Sequence, residues 1–418
     1  MPIFIMLLML SIGKLYAQNN TVVEIEIVGL KKIRKSFIKK IIVSKVNVKL
    51  DSVIIEKDIT RLKRLPSISN TTYTLVPLKK NTYKLVFKVE ENFTLIPFAN
   101  LFSSSNDEFA FRIGLQEFNL LGQDITLGGF YQYDNFSSYG VNFEAPYLFS
   151  NKLGLAINYN DLTTEEPVFI DQETANYKYN NHGIEILGLY EINFNNRLAF
   201  GYSFFNEDYQ YISGVTKDNV PQQLKVNKHL YKFLYNYDNV HYQHQYLSGF
   251  KSALNFQYVG SKDENLQPFF IGFNDFSYFK RIGKKGNWAN RLRLGLSSNP
   301  KTPFAPFTLD NNLNIRGVGN SIDRGTGAIV LNTEYRYTLI DRNWFVLQSN
   351  AFIDAGSWRD PGGGFDDFTR SNNIRVYPGL GLRFIHKKIF NAIFRLDYGY
   401  GITPNETNGI VFGIGQYF

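Results

Sequence analysis

The stretch Ala392–Tyr400, AIFRLDYGY, alternates between two kinds of residue with a period of two. The polar set includes Arg395 and Asp397. The other set is apolar or aromatic and consists of Ala392, Phe394, Leu396, Tyr398 and Tyr400. Because successive side chains of a β-strand point to opposite faces of the sheet, this pattern predicts a strand with one apolar and one polar face.

The same alternation recurs along most of the chain after residue 95. It is clear in Phe109–Gln116, Ile125–Tyr133, Tyr139–Tyr147, Leu153–Tyr159, Leu198–Phe204, Tyr231–Tyr237, Phe250–Tyr258, Leu292–Leu296 and Ile329–Leu339. Segments of about ten residues with one aromatic-rich apolar face are typical of transmembrane β-barrel strands. Lipid offers the backbone no hydrogen-bond partner, so such a sheet must close on itself. A soluble β-sandwich also alternates, but it does not need an aromatic outer face on nearly every strand.

The composition narrows the class of protein further. The 418 residues include 27 Tyr and 37 Phe, which suits a barrel whose outer face meets lipid. With no Cys, a disulfide framework, a thiolate zinc site and a cysteine nucleophile are excluded. No apolar run after residue 15 reaches the ~18 residues that a membrane-spanning helix needs. The net charge of +8 is modest for this length, and we predict no nucleic-acid partner.

The short turns allow the strands to be counted. In outer-membrane barrels the periplasmic connections are short and the outer loops are long, so Asn119–Gln123 and Ala145–Asn151 are expected on the periplasmic side. This parity requires an even number of strands before Asn119 and predicts Leu95–Phe102 as the first strand. At about 20 residues per strand and connection, residues 95–418 predict an all-β, 16-stranded transmembrane antiparallel β-barrel.

The first and last strands are expected to meet at a seam. The last strand is predicted to be Ile410–Phe418, with its aromatic carboxyl end buried at the inner membrane interface. Pro97 lies inside the first strand and removes a hydrogen-bond donor from the ladder. The seam is therefore predicted to be the weakest hydrogen-bonded junction of the barrel. The residues chosen to mark it are Leu95, Phe102, Val411 and Phe418.

The first residues are expected to direct export. Ile3–Ile12 is a short apolar run, and Ala17 precedes a plausible cleavage point. This length is typical of a signal peptide rather than a membrane span, so residues 1–17 are predicted to be a signal peptide. A buried N-terminal strand or helix is the alternative.

Residues 20–91 predict a small α+β domain with the order strand, helix, helix, strand, strand. Ser36 is a candidate cap for the first helix, and Asp51 or Ser52 for the second, which Pro66 ends. One small sheet with two helices on one face satisfies this order. The predicted strands are Val22–Val28, Thr72–Leu78 and Tyr83–Glu90.

Within this domain, residues 31–49 are strongly basic and contain no acidic residue. Two interpretations stay open. The run forms a solvated basic face, or it attracts anionic lipid headgroups or an acidic partner. The basic residues are Lys31, Lys32, Arg34, Lys35, Lys39, Lys40, Lys45 and Lys49.

A long loop, Ser297–Ala328, separates two clear strands and carries Arg316. Loops of this length without structure of their own are usually functional or disordered. Strand parity places the loop on the outer side, and alternation turns Glu334 and Asp354 toward the lumen. Arg316 on a loop that folds inward is expected to form a charge-assisted pair with Glu334 or Asp354. The alternative is that these charges only face a wet pore.

These features resemble a known family. Residues 20–91 resemble a polypeptide-transport-associated (POTRA) domain, and the barrel resembles the bacterial surface antigen family of barrel-assembly (BamA/TamA) and two-partner-secretion transporters. The matching motifs are Ile315-Arg316-Gly317, Glu334 in Asn332-Thr333-Glu334, Phe352-Ile353-Asp354-Ala355-Gly356 followed by Trp358, and the turns Glu117–Gly122 and Pro146-Tyr147. The resemblance implies that Arg316, on the family's loop six, contacts both Glu334 and Asp354. Val318 departs from the family pattern, which has an aromatic residue there.

The resemblance implies a non-enzymatic protein of the Gram-negative outer membrane with its POTRA domain in the periplasm. Its expected partners are the lipid bilayer and unfolded outer-membrane or secreted client polypeptides, with periplasmic chaperones or lipoproteins as accessory partners. It would insert or translocate these clients without a cofactor. A passive pore or surface receptor is one alternative, and secretion of one dedicated client is another.

Other chemistry has little support in the sequence. His241 and His244 have a metal-like spacing for a helix, but they lie at the end of a predicted strand. Asp360–Asp367 contains acidic residues and glycines that are better explained by a flexible outer loop than by a calcium site. We predict no metal site and no catalytic residue, with a barrel lipase or acyltransferase as the enzymatic alternative.

Overall fold

The computed structural model describes residues 20–418, apart from residues 80, 104–108, 171–172, 217–219, 244, 263–265, 300–304, 310–313, 319–322, 390–391 and 405–406. The segment expected to be a signal peptide lies outside the described residues. Among the helices of the described part, none has the length and apolar character needed to cross a membrane.

The chain forms a small α+β region followed by a large β-structure. The N-terminal region comprises β1 (Thr21–Val28), α1 (Lys35–Ile41), β2 (Val48–Lys49), α2 (Ser52–Lys63), β3 (Ile68–Lys79) and β4 (Thr82–Glu91). The remaining strands are β5 (Leu95–Ser103), β6 (Phe109–Leu120), β7 (Ile125–Asp134), β8 (Phe136–Ala145), β9 (Leu153–Ile170), β10 (Glu173–Asn193), β11 (Asn196–Gly214), β12 (Gln223–Asp238), β13 (His241–Gln243), β14 (Tyr246–Ser261), β15 (Phe269–Ile282), β16 (Gly286–Ser297), β17 (Phe307–Thr308), β18 (Arg324–Gly325), β19 (Gly327–Asp341), β20 (Phe345–Arg359), β21 (Ile374–His386), β22 (Ile393–Tyr400) and β23 (Asn408–Ile414). Two 3-10 turns, Phe365–Thr369 and Ser371–Asn373, precede β21.

The N-terminal region is one four-stranded sheet with two helices. The sheet order is β2-β1-β4-β3, and β1 runs parallel to β4. The two-residue β2 was not predicted. Asp51 caps α2 by accepting from the Val53 and Ile54 backbone N–H groups at 2.8 and 3.3 Å. The predicted Ser36 cap is wrong, because α1 already begins at Lys35 and its N-cap is Arg34, which makes no side-chain capping bond. The core includes Ile38, Ile41, Ile55, Leu62, Leu85 and Phe87.

The large β-structure is an antiparallel barrel of 16 strands, as predicted, in which β23 lies next to β5. The strands are β5–β12, β14–β16 and β19–β23, while β13 pairs only with the start of β14. The alternation predicted for Ala392–Tyr400 is confirmed. Phe394 and Tyr398 are 41% and 45% exposed on the outer face, whereas Arg395 and Asp397 are buried inside. The sheet therefore presents apolar side chains outward and polar ones inward, as a lipid-embedded barrel requires.

The shortest strands of the barrel lie at the seam and next to it. β23 and β5, which meet at the seam, contain 7 and 9 residues and β22 contains 8, whereas β10 contains 21. The predicted final strand is too long, because β23 ends at Ile414. Gly415 then adopts φ +99°, and the last residues leave the wall and enter the lumen. Phe418 therefore lies inside the barrel near Phe279 and not in the seam.

The N-terminal region packs against one rim of the barrel. The Arg34 backbone N–H donates to the Gly122 carbonyl at 2.9 Å, and the Ser67 hydroxyl donates to the Asp124 carboxylate at 2.8 Å. Tyr147, from the turn after β8, joins the apolar core of the N-terminal region. The two short turns, Asn119–Gln123 and Ala145–Asn151, were both predicted on the periplasmic side, and in the structure they lie on the same rim of the barrel.

Candidate functional site

Arg316 is enclosed in the barrel lumen against the inner wall. Its Nε donates to Asp354 Oδ2 at 2.8 Å, and its Nη2 donates to Asp354 Oδ1 at 3.0 Å. Its Nη1 donates to Glu334 Oε2 at 2.7 Å. The Arg316 backbone N–H also donates to Asp354 Oδ2 at 3.0 Å. Asp354 is thus bound by both the side chain and the backbone of Arg316, an arrangement with strict geometric requirements.

Two aromatic rings cover the same guanidinium. Its carbon lies 3.6 Å from the centre of the Phe352 ring and 4.6 Å from that of Tyr417. Phe352 belongs to β20, as does Asp354, and faces inward two residues before it. Tyr417 comes from the C-terminal segment that turns into the lumen. Aromatic faces attract cations most strongly where water is excluded, and Arg316 is fully buried.

Further charges surround this pair. Arg383 donates to Glu334 Oε2 at 3.0 Å and to Asp397 Oδ1 at 3.4 Å. Arg336 Nε contacts Glu334, and Asp397 Oδ2 lies 3.6 Å from Arg316 Nη1. Arg395 Nη1 lies 3.6 Å from the same Asp397 Oδ2, so four guanidinium groups share three carboxylates, and all seven side chains are buried. Buried charges are tolerated only when they are paired and hydrogen-bonded, so removing any one of them is costly.

The loop backbone itself is pressed against the barrel wall. Gly317 has φ +93°, and a Cβ there would lie 2.6 Å from the Gly399 carbonyl oxygen. A Cβ on Gly399 would lie 2.1 Å from the Arg316 carbonyl oxygen. Only glycine at both positions allows this backbone contact. The Thr407 hydroxyl adds hydrogen bonds to the carbonyls of Gly317 and Val318 at 3.2 and 3.0 Å.

An apolar cluster seals the other side of the loop. Ile315 is fully buried, and Val318 is 2% exposed. Val318 fills part of this cluster with its small side chain. The cluster consists of Leu309, Ile315, Val318, Val330, Trp358 and Tyr377.

The structure brings together some of the residues singled out from the sequence and separates others. Arg316, Glu334 and Asp354 meet directly, and Ile315 and Gly317 hold the loop beside them. Of the residues chosen for the seam, Leu95 is 39% exposed and Val411 is 4% exposed. Phe102 of β5 lies opposite Ala110 of β6 in the backbone pairing of these two strands. Phe418 lies in the lumen.

Five further residues take part in the site without having been predicted, namely Arg336, Arg383, Arg395, Asp397 and Tyr417. The four charged ones carried a detectable signal, because the alternation of their strands turns them inward. Tyr417 carried no such signal, because the chain leaves the strand only at Gly415.

In the described part of the chain there is no group of three or more His, Asp or Glu residues that could hold a metal ion. Chemically, the site is a cross-link between a loop and a wall.

This architecture defines a class of protein, a lipid-facing 16-stranded barrel with a small α+β region on one rim and a loop fastened inside. Two solved structures with a similar fold are CdiB from Escherichia coli and CdiB from Acinetobacter baumannii. The first has a TM-score of 0.64 at 10% identity, over 95% of this chain and 76% of that one. The second has a TM-score of 0.63 at 13% identity, over 96% and 74%.

A third similar structure is BamA from Haemophilus ducreyi lacking POTRA domains 1–3. Its TM-score is 0.57 at 13% identity, over 95% of this chain and 84% of that one. No family profile and no curated protein match the chain. At these identities the likeness establishes the fold, which is the barrel fold of BamA and CdiB.

Proposed function

We propose that the protein is an outer-membrane barrel that inserts or translocates client polypeptides. In this proposal residues 1–17 direct export, residues 20–91 are a POTRA domain in the periplasm, and residues 95–418 form the membrane barrel. The observation that carries the proposal is the fastening of Arg316 to Glu334 and Asp354 inside a barrel of this fold.

The position at which the Arg316 loop is attached to the wall supports a barrel that opens between β5 and β23. Through Arg316 and its neighbours the loop contacts β19, β20 and β22, and through Thr407 it contacts the connection to β23. These strands form the wall on one side of the seam. Holding that wall in register while the short strands β5 and β23 separate would open the barrel laterally without unfolding it.

A groove lined by both apolar and charged side chains on the N-terminal region is the proposed client site. It lies between the edge strand β2 and α2 and encloses about 540 Å³. Val48 and Val53 beside it are 47% and 61% exposed. The buried Asp58 carboxylate shapes one wall by accepting from the Val43 and Ser44 backbone N–H groups at 2.7 and 2.8 Å. An extended client segment adding to the β2 edge would place alternate side chains in this groove.

A site-specific photocrosslinker tests the client site. At Val48 in the full-length protein in cells, we expect adducts with unfolded outer-membrane or secreted polypeptides. Val76, 41% exposed on the opposite edge strand β3, is the matched control and should give few adducts. Equal labelling at both positions would contradict the groove as the client site.

Depletion followed by an outer-membrane proteome tests the function itself. Loss of many barrel proteins would support assembly, and loss of one secreted protein would support export of a dedicated client. An unchanged proteome, together with single-channel conductance that survives deletion of residues 20–91, would contradict the proposal and indicate a passive pore.

A further inference from the structure

A cluster of exposed cations lies at the N-terminal rim of the barrel, beside the base of the seam. Lys32 Nζ lies 5.7 Å from the centre of the Phe93 ring, and Phe93 forms a β-bridge with Ile389. The exposed Lys388 directly precedes Ile389 and therefore lies on the same rim as the residues before α1. We call this cluster the basic rim patch, and it consists of Lys31, Lys32, Arg34, Lys35 and Lys388.

The backbone of the patch is held in a fixed shape. The Glu91 carboxylate accepts from the backbone N–H groups of Lys31, Lys32 and Ile33 at 2.7, 2.9 and 3.0 Å. The nearby acidic side chain therefore binds backbone donors and leaves the lysine side chains exposed. The Arg34 backbone N–H is anchored to the Gly122 carbonyl of the barrel rim. The charges are thus presented from a rigid support rather than from a mobile loop.

Exposed apolar side chains lie on the same rim. Leu121 in the turn beside Arg34 is 61% exposed, and Phe93 is 51% exposed. Phe149, in the turn after β8, is 62% exposed. Large apolar and aromatic side chains at the end of a lipid-facing barrel mark the boundary between hydrocarbon and headgroups. The basic rim patch therefore lies at headgroup depth.

From this placement we propose that the basic rim patch binds the phosphates of anionic phospholipid headgroups. Cations beside an anionic membrane surface attract such lipids over about one Debye length. The apolar rim favours a lipid over an acidic polypeptide, because its side chains would enter the acyl boundary of the same leaflet. The proposal rests on the proposed membrane location of the barrel, with the patch in the periplasmic leaflet. It would enrich anionic lipid beside β5, where the seam begins.

Lipid selectivity of the purified full-length protein tests this proposal. The protein is reconstituted in nanodiscs of phosphatidylcholine and phosphatidylglycerol, and the association of spin-labelled forms of each lipid is compared by electron paramagnetic resonance. We expect the wild type to prefer phosphatidylglycerol by about threefold at low salt and to lose the preference near 0.5 M NaCl, an order-of-magnitude expectation for a few clustered charges.

Two triple variants test whether the basic rim patch causes the preference for phosphatidylglycerol. The combination Lys31→Gln, Lys32→Gln and Lys388→Gln should abolish it, while Lys45→Gln, Lys49→Gln and Lys57→Gln should leave it intact. The control removes the same number of exposed charges from the α2 and β2 side of the N-terminal region. Heat-modifiable migration on gels establishes that each variant retains its barrel.

Either a wild type without preference or a rim variant that retains it would overturn the proposal. An acidic peptide that binds the patch while phosphatidylglycerol does not would also overturn it, in favour of a polypeptide partner. Because the assay contains no client, its outcome is independent of crosslinking at Val48, and the two proposals can fail separately.

Discussion

Two arginines, one fully buried and one partly buried, hold two parts of this molecule together in different ways. Arg316 fastens the loop inside the lumen, is fully buried, and donates to two carboxylates. Arg64 fastens the N-terminal region to the rim, and its guanidinium carbon lies 4.0 Å from the centre of the Phe194 ring. Arg64 donates mainly to carbonyls, at 3.0 Å to Phe194 and 3.2 Å to Asp238, while the Asp238 carboxylate is 3.8 Å away.

The difference is one of charge compensation. Burial lowers the pKa of Arg64, because carbonyls and one distant carboxylate replace only part of its hydration. Arg316 instead has its charge matched by close carboxylates and two aromatic faces. Separating the loop would remove Arg316 from the buried Asp354 carboxylate and leave Glu334 with fewer partners, whereas separating the N-terminal region would return Arg64 to water. We therefore expect a permanent fastening at Arg316 and a separable one at Arg64.

The largest expected effect is that of Arg316→Ala. It leaves Glu334 and Asp354 buried with fewer partners and should lower the free energy of unfolding by about 3–5 kcal/mol. Urea titration followed by Trp fluorescence measures this change. Arg293→Ala is the matched control, since Arg293 also pairs bidentately in the lumen, with Asp275, but is 19% exposed. Equal losses in both variants would refute the special role of burial at Arg316.

The second effect tests the backbone contact of the loop. Gly317→Ala should cost about 2 kcal/mol, because the new Cβ would meet the Gly399 carbonyl at 2.6 Å in a positive-φ conformation. Gly283→Ala is the control, since Gly283 also has positive φ but its Cβ would have no atom within 4 Å. The same urea titration applies, and indistinguishable variants would show that strain, not contact with β22, accounts for the loss.

A third prediction addresses the separable fastening. Arg64→Ala should weaken the contact of the N-terminal region with the rim by about 1–2 kcal/mol, while barrel unfolding stays unchanged. Distance distributions between spin labels on α2 and on the turn after β10 would broaden. Lys63→Ala, an exposed neighbour, should leave the distribution narrow. A barrel destabilised by Arg64→Ala would contradict the distinction between the two arginines.

The smallest effect is a pH dependence at the same rim. Burial raises the pKa of the Asp124 carboxyl to about 6, although the Ser67 hydroxyl donates to it. An acid whose folded-state pKa is raised contributes stability that is present below its ordinary pKa near 4 and lost as the pH rises through 6. The contact should therefore weaken as the pH rises from 4 to 6.

The spin-label distances used for Arg64 can be followed across this pH range. Asp124→Asn cannot ionise and should give distances that do not change with pH. If the contact between the N-terminal region and the rim instead became tighter in the wild type as the pH rises, the predicted direction of the pH dependence would be wrong.

Much of the fold was predictable because its signals are local. A strand with one face in lipid must alternate, and Ala392–Tyr400 does so whatever surrounds it. Loop length and parity made the region around Arg316 a candidate, and inward alternation supplied Glu334 and Asp354 as partners. Asp397 was equally visible as an inward acid, but nothing in the sequence distinguished it from an ordinary lumen charge.

The sequence by itself determined which face of each strand meets lipid, the number of strands, and the residues able to pair with Arg316, because these depend on short-range periodicity and on charge. Only the tertiary structure decided that Tyr417 turns at Gly415 to cover Arg316, that Arg383 and Asp397 share the same cluster, and that the N-terminal region is seated on the rim through Arg64. These contacts join residues that are distant in the chain. They exist because closure of the barrel brings the last strand, the loop and the wall into one water-excluded space, where buried charges must find partners.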